Sequence, residues 1–286
     1  MLELNLSRDP AHVRHGSTIG QPLSRRDGML KVTGAARYAA DNNPTGLLYA
    51  VLAVSSIARG RVVSLDVEAA KAHPGVIEVM TPANRPLLAE DHDGKPNPFA
   101  FRFEALQNDR VRYANQPIAV VIGQTLEAAT EGAALLAPRY EAEPARIGLD
   151  AEGAYTPPVV GMGFPAESRH GDVEAALAGS DKSIETTYET PPHYHNAMEP
   201  HAIVASWQGD RLVIDTPTQG LAMMQARIAG LFGIPPENIL IRSPFLGGGF
   251  GGKGIMAGPQ VLGILAAKLV GRPVKLVVRR EQLYGP

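Results

Sequence analysis

Gly247-Gly248-Gly249-Phe250-Gly251-Gly252-Lys253-Gly254 lies between an apolar run, Asn238 to Arg242, and a helix-like segment, Met256 to Val270. Five glycines around one phenylalanine permit positive φ and leave backbone N–H groups open to a ligand lying on the main chain. A strand–loop–helix unit of this kind suits a ligand that is anionic, large and flat, or bonded to a metal. The spacing of Gly247, Gly252 and Lys253 also fits the start of a phosphate-binding P-loop. That motif fails at its last position, where Gly254 replaces the Ser or Thr hydroxyl that would hold magnesium. A plain tight turn accounts poorly for five glycines, because each is entropically unfavourable to order. The loop reads best as a cradle for a cofactor.

Composition bounds what surrounds it. A chain of 286 residues is long enough for about two domains with real cores. Its 44% hydrophobic and 20% charged content is that of an ordinary globular protein. A net charge of −2 offers no basic surface for nucleic acid. No apolar run approaches the ~18 residues a membrane-spanning helix needs. With no cysteine, the chain holds no disulfide, thiolate zinc site, Fe–S cluster or cysteine nucleophile. Ser24-Arg25-Arg26 imitates a twin-arginine export signal, but the residues that follow, broken by Arg37 and Asp41, form no apolar h-region. The expected location is therefore cytoplasmic, with a periplasmic one requiring export alongside a partner.

Along the chain, residues 1–18 are polar, without apolar period, and read as a flexible arm. Short β-branched runs follow at Leu47 to Val54, Val62 to Val67 and Val76 to Met80, with a brief helix at Val67 to Ala72. Residues 82–110 read as an exposed excursion. A strand at Pro117 to Ile122 leads to Thr125, the expected N-cap of a helix reaching Leu136, and Pro138 to Glu143 closes the unit as a strand. Residues 149–167, rich in Pro and Gly, read as a linker. Beyond it come a short helix in Gly171 to Ser180, a strand at Ser183 to Thr190, and a hairpin of Ala202 to Trp207 with Arg211 to Asp215. Trp207 sits at the hairpin tip as a packing or rim residue. Thr218 is expected to cap a helix running to Phe232, with Leu221, Met224, Ile228 and Leu231 as its buried stripe. Gln219 would then occupy the first turn, beside unpaired backbone donors and the positive end of the helix dipole. An apolar strand at Val274 to Val278 lies near the end.

His193, His195 and His201, with Glu199, could offer zinc two imidazoles and a carboxylate. Pro191, Pro192 and Pro200 break the local geometry, and no further ligand is evident. The zinc reading is not favoured. No carboxylate pair suggests a glycosidase, and Ser243 has no arrangement suggesting a hydrolase.

Thirty-one residues before Phe250 lies Gln219, within Asp215-Thr216-Pro217-Thr218-Gln219-Gly220. With the glycine loop and His195-Asn196-Ala197-Met198-Glu199-Pro200-His201, this segment resembles the molybdenum-binding subunit of the xanthine dehydrogenase and aldehyde oxidase family. Gly20-Gln21-Pro22, Lys31-Val32-Thr33-Gly34, Ala36-Arg37-Tyr38, His73-Pro74-Gly75-Val76 and Val111-Arg112-Tyr113 are similar to that family's a/b hammerhead domain. The resemblance covers roughly residues 18–286 and implies an α+β fold. It would place a hammerhead domain over 19–148 and, over 168–286, the start of a molybdopterin-binding α/β domain. It implies a molybdenum–molybdopterin cofactor, in bacterial relatives the cytosine dinucleotide form, held by Gln219, Gly220, Gly248, Gly249, Phe250, Gly251 and Gly252. Gln219 and Phe250 would be nearest the metal, Gln219 by a hydrogen bond to a metal-bound oxygen. The phrase around Glu199 would be scaffold near the cofactor.

The implied activity is oxidation of aldehydes or heteroaromatics, small molecules, with water as the oxygen source. Gly254 stands where the family's purine enzymes carry a glutamate, which points toward the bacterial aldehyde oxidoreductases. Electrons would leave through a separate Fe–S subunit and then an FAD subunit. The family's catalytic glutamate, its general base, would lie beyond Pro286, so no catalytic residue is assigned here and the isolated chain is expected to be inactive. Its remainder could be a separate polypeptide. Two alternatives stand beside this: a non-catalytic binding or assembly module, and a nucleotide-binding protein using Gly247 to Lys253.

Overall fold

A computed structural model describes residues 20–89, 105–145, 147–148, 155–160 and 164–284. The arm at 1–18, much of the 82–110 excursion and parts of the 149–167 stretch lie outside the described residues. The chain divides into two compact units, Met1–Arg37 and Tyr38–Pro286. Among the described residues of the first, a short helix, α1 (Gly28–Val32), is preceded by Asp27. The Asp27 carboxylate meets Lys31 at 2.9 Å and Arg25 at 2.6 Å, and these hydrogen bonds hold its pKa down at about 2.

The second unit is α+β. Its strands are β1 (Leu48–Val54), β2 (Gly60–Ser64), β3 (Val76–Met80), β4 (Arg110–Val111), β5 (Pro117–Gly123), β6 (Arg139–Ala142), β7 (Ala202–Gln208), β8 (Arg211–Asp215), β9 (Ile239–Arg242) and β10 (Val274–Val277). Among the described residues its α-helices are α2 (Val67–Ala72), α3 (Leu126–Ala134), α4 (Val173–Ala178), α5 (Leu221–Phe232) and α6 (Gly258–Val270). A seven-stranded sheet runs in the order β3-β5-β1-β10-β7-β8-β9, and a three-stranded one in the order β4-β2-β6. The large sheet draws on both sides of the 149–167 stretch, joined where β1 pairs in parallel with β10, Leu48 opposite Val274.

All seven residues of β5 are buried because both of its faces are covered. Ala119 and Val121 join Ala70, Val79 and Leu136 in a small cluster, while Val120 and Ile122 enter the main core. Thr125 caps α3 as the sequence predicts, its hydroxyl accepting from the Ala128 N–H at 3.1 Å. Helix α6 is the central element of the main core, with every residue from Gln260 to Ala267 buried. It rests against β7 and β10, and a Cβ at Gly263 would land on the Ile203 side chain, so glycine there permits the close approach. Gly271, at φ 63°, ends the helix in the left-handed region.

Three local expectations are corrected. Ser183 to Thr190 forms no strand and is exposed throughout, since no described strand lies beside it to accept its hydrogen bonds. Trp207 is a packing residue as expected but lies one residue short of the tip, half-buried, donating its indole N–H to the Ile264 carbonyl at 3.2 Å and packing on Phe232. Helix α5 starts at Leu221 with Gly220 as N-cap, so Gln219 precedes the helix instead of occupying its first turn. Met224, Ile228 and Leu231 are buried as expected, whereas Leu221 is half exposed.

Candidate cofactor site

Strands β8 and β9 run parallel and end together, Asp215 opposite Arg242. Their side chains form a two-pronged ion pair at 2.6 and 2.7 Å, which raises the Arg242 pKa. Beyond this pair both chains leave the sheet on the same side, one into Thr216–Gly220 and the other toward the glycine loop. Ligands of open α/β sheets collect outside the carboxyl ends of strands, and this is such a place.

The two segments are stitched together. Thr216 donates its N–H to the Arg242 carbonyl at 3.2 Å, and Thr218 donates its N–H to the Ser243 hydroxyl at 3.2 Å. Thr216 is fully buried, with its hydroxyl bonded to the Ala202 carbonyl and receiving the Gln260 amide at 2.6 Å. The Thr218 hydroxyl accepts from the Gly220 N–H at 3.1 Å and donates to the Lys253 carbonyl. That second bond ties Thr218 to the glycine loop and leaves the helix to begin at Leu221.

The loop is two successive turns. Gly252 donates to the Gly249 carbonyl at 2.8 Å, and Gly254 to the Gly251 carbonyl at 3.0 Å. Gly248 and Gly251 have φ of 94° and 96°, conformations that essentially require glycine. Phe250 is also left-handed, at φ 54°, and 73% exposed. A large apolar side chain held out to solvent on an unfavourable backbone marks Phe250 as a candidate functional residue.

Gln219 is locked to this loop. Its backbone N–H donates to the Lys253 carbonyl at 2.8 Å, while its side-chain Oε1 accepts from the N–H groups of Gly251 and Lys253 at 3.0 and 3.2 Å. Two converging N–H donors fix which end of the carboxamide is oxygen. The NH2 end faces away from them and has no acceptor among the described residues. A Cβ at Gly249 would collide with this carboxamide, and one at Gly252 would lie 2.8 Å from Cγ of the His195 ring. At Gly220 an added Cβ would sit 3.3 Å from the Gly254 carbonyl. The glycines are small so that Gln219 and His195 can lie directly against the loop.

Five of the loop's N–H groups, those of Gly247, Gly251, Gly252, Lys253 and Gly254, are used within the protein. Those of Gly248, Gly249 and Phe250 find no acceptor among the described residues. The exposed Gln219 NH2 and Phe250 ring make up the free face of the site, with the unbonded N–H groups of Gly248 to Phe250 beside them and Gly249 itself buried. Its unbonded donors suit a flat ligand carrying anionic or metal-bound oxygen. The predicted site residues Gln219, Gly220 and Gly248 to Gly252 all come together here.

Lys253 does not belong to that face. Its side chain is buried, donating to the Glu199 carbonyl at 2.7 Å and to Glu199 Oε2 at 2.9 Å. Burial lowers its pKa, with Glu199 opposing the shift. The P-loop reading needs this lysine to reach a phosphate, and here it points inward. Glu199, His201, His195 and Lys253 line a cavity of about 50 Å³. Glu199 Oε1 and His201 Nδ1 are buried without a hydrogen-bond partner. Burial first, then the charge of Lys253 and His195, pushes the His201 pKa down to about 4. Among the described residues no His, Asp and Glu cluster has the geometry to hold a metal ion, so the zinc reading finds no support. Sequence reasoning missed the anchoring parts played by Glu199, Lys253 and His195. The closeness of Glu199 to a pair of histidines was the available signal, and it suggested a metal instead.

The geometry defines a cofactor-binding α+β protein with a donor-rich loop at the ends of two parallel strands. Residues 33–144 match the a/b hammerhead domain of aldehyde oxidase and xanthine dehydrogenase, and residues 157–284 match the molybdopterin cofactor-binding domain. The chain belongs to the xanthine dehydrogenase and aldehyde oxidase family, as part of a molybdenum-binding subunit. It is 35% identical over 268 residues to the aldehyde oxidoreductase molybdenum-binding subunit PaoC of Escherichia coli K12, covering 93% of this chain and 35% of PaoC. It is 29% identical to the nicotinate dehydrogenase large molybdopterin subunit of Eubacterium barkeri, covering 92% of this chain and 62% of that one. Among solved structures, quinoline 2-oxidoreductase from Pseudomonas putida 86 superposes with a TM-score of 0.74 at 25% identity, over 92% of this chain and 35% of that one. CO dehydrogenase from Oligotropha carboxidovorans shares the fold, with a TM-score of 0.78 at 24% identity, over 92% and 35% of the two chains. The chain thus spans about a third of the length of PaoC.

Proposed function

We propose that this chain is the cofactor-cradling portion of a molybdenum hydroxylase large subunit that oxidises aldehydes or heteroaromatics with water as the oxygen source. The observation that carries the reading is the free face of the site, with the Gln219 NH2 and three loop N–H groups all unpartnered beside an exposed Phe250. When bound, the molybdenum–pterin group supplies a two-electron oxidation with transfer of oxygen derived from water. The Gln219 NH2 would donate to an oxygen of that group. The N–H groups of Gly248, Gly249 and Phe250 would bind its anionic edge, and the Phe250 ring would shield the substrate side from bulk water. A cytosine dinucleotide form of the pterin is part of the proposal.

Glu199 is already paired with Lys253 and the loop, so it is not free to act as a general base. The proposal therefore takes that base from elsewhere in a larger subunit, in line with the greater length of the relatives. Without cysteine the chain cannot hold an Fe–S cluster by thiolates, so electrons would pass to an Fe–S subunit and then to an FAD subunit.

The test is elemental analysis of the chain purified from its native host, with acid release of the nucleotide. Near-stoichiometric molybdenum with CMP is expected, together with co-purifying subunits. A folded chain without molybdenum would overturn the proposal in favour of a non-catalytic module.

A further inference from the structure

The two ends of the glycine loop meet at one oxygen atom. Glu199 Oε2 accepts from the Gly247 N–H at 2.8 Å and from the Lys253 ammonium at 2.9 Å. The Glu199 backbone repeats the pattern, its N–H donating to the Gly247 carbonyl at 2.9 Å and its carbonyl accepting from the Lys253 ammonium at 2.7 Å. A Cβ at Gly247 would stand 2.5 Å from the Cβ of Glu199, so glycine is what lets the acid lie against the loop. Glu199 is itself held in place. Arg280 donates to the carbonyls of Ala197 and Met198 at 2.6 and 2.7 Å, immediately before it.

Lys253 carries this anchoring to the free face. Its side chain ends on Glu199, while its backbone N–H and carbonyl bind the side chain and backbone of Gln219. From these contacts we infer that Glu199 is the positioning residue of the site: by clamping Gly247 and Lys253 together it closes the loop and, through Lys253, aims the Gln219 NH2 at the cofactor. In this inference Glu199 acts through Lys253 and not by contact with the cofactor or substrate. The aiming step rests on the proposed cofactor reading; the closing of the loop does not. A buried ion pair is weak evidence of stability, and in some proteins such a pair specifies one arrangement.

The test uses the full chain, with and without Glu199→Gln, and two readouts. The first is amide hydrogen exchange of the cofactor-free chain. Glutamine can still accept from Gly247 but leaves Lys253 without its counter-charge, so exchange at Gly251 and Lys253 should rise more than at Gly247, with β5 and α6 unchanged. Equal rises throughout would mean general destabilisation, and no rise at all would mean the loop closes without Glu199; either overturns the inference. The second readout is molybdenum–pterin retained after dialysis. Outer residues that orient the groups around a metal centre are commonly worth about tenfold or more in affinity, and a loss approaching that order is expected for Glu199→Gln. In a Gln219→Ala background the same substitution should cause little further loss. An equal further loss there would overturn the aiming role. If even the unaltered chain retains no cofactor, the proposed function fails while the exchange result still decides the clamp. Lys253→Met, which keeps the stem and removes the charge, is the second variant should Glu199→Gln fold poorly.

Discussion

Between Gly247 and Val270 the chain passes from a loop held by hydrogen bonds to a helix held by burial. In the loop, Phe250 and Gly251 are exposed, and position is set by Glu199, Gln219 and His195, which precede it by tens of residues. In α6, eight consecutive residues are buried against the sheet, and its first turn contributes a single polar tie, Gln260 to Thr216. One region fixes donor groups in space and the other supplies the stability that allows it. Damage to the two should therefore read out differently, as lost folding in α6 and as lost ligand in the loop.

The largest effect is expected at the centre of the helix. Leu265 is fully buried, and Leu265→Ala should cost about 2–5 kcal/mol of stability through lost transfer energy and a cavity. Chemical denaturation measures this directly. Cofactor retention by the fraction that remains folded should be unchanged, and a selective loss of retention would show that the helix and the loop are not separable.

A smaller effect comes from pH, on the side of the loop that faces the core. His201 titrates at about 4 in the folded protein against a usual 6.5, so it is neutral where the unfolded chain is protonated. A depressed folded pKa contributes stability fully above the unfolded value and loses it as pH falls from about 6.5 toward 4. Roughly 2–3 kcal/mol should be lost across that window. Urea midpoints at pH 7 and pH 4.5 would show the drop, and His201→Gln should remove most of it. An unaltered drop in that variant would assign the acid sensitivity to other groups.

What the sequence revealed and what it hid divide along the same line. Periodicity and β-branched content located β5, α5, α6 and the β7–β8 hairpin, because burial of a repeating pattern is written in adjacent residues. Ser183 to Thr190 has strand-like composition too, yet a strand needs a neighbour, and no local pattern reports whether one is present. The spacing of Gln219 and Phe250 pointed to a meeting of the two segments, which Gln219 makes with the loop, but its place ahead of the helix was not legible. The Thr218 hydroxyl bonds Gly220 on one side and Lys253, far along the chain, on the other. The inward turn of Lys253 was hidden for the same reason, since its partner lies 54 residues earlier.

The finest discrimination between loop and helix is Phe250→Gly. At φ 54° a non-glycine residue is strained by about 1–2 kcal/mol, which glycine would relieve. Against this stands the greater freedom of glycine in the unfolded chain, about 0.5–1 kcal/mol. The exposed ring contributes little burial in the unliganded chain, so its removal adds only a small term. Net stability should therefore stay level or rise by about 1 kcal/mol, the opposite sign to Leu265→Ala. On the proposed function cofactor retention should nonetheless fall, because the ring that would cover the bound group is gone. Thermal unfolding and pterin content measured on the same samples decide the matter. A variant that loses both stability and cofactor would show that Phe250 serves the fold, whereas one that gains stability and loses cofactor would show strain maintained for binding.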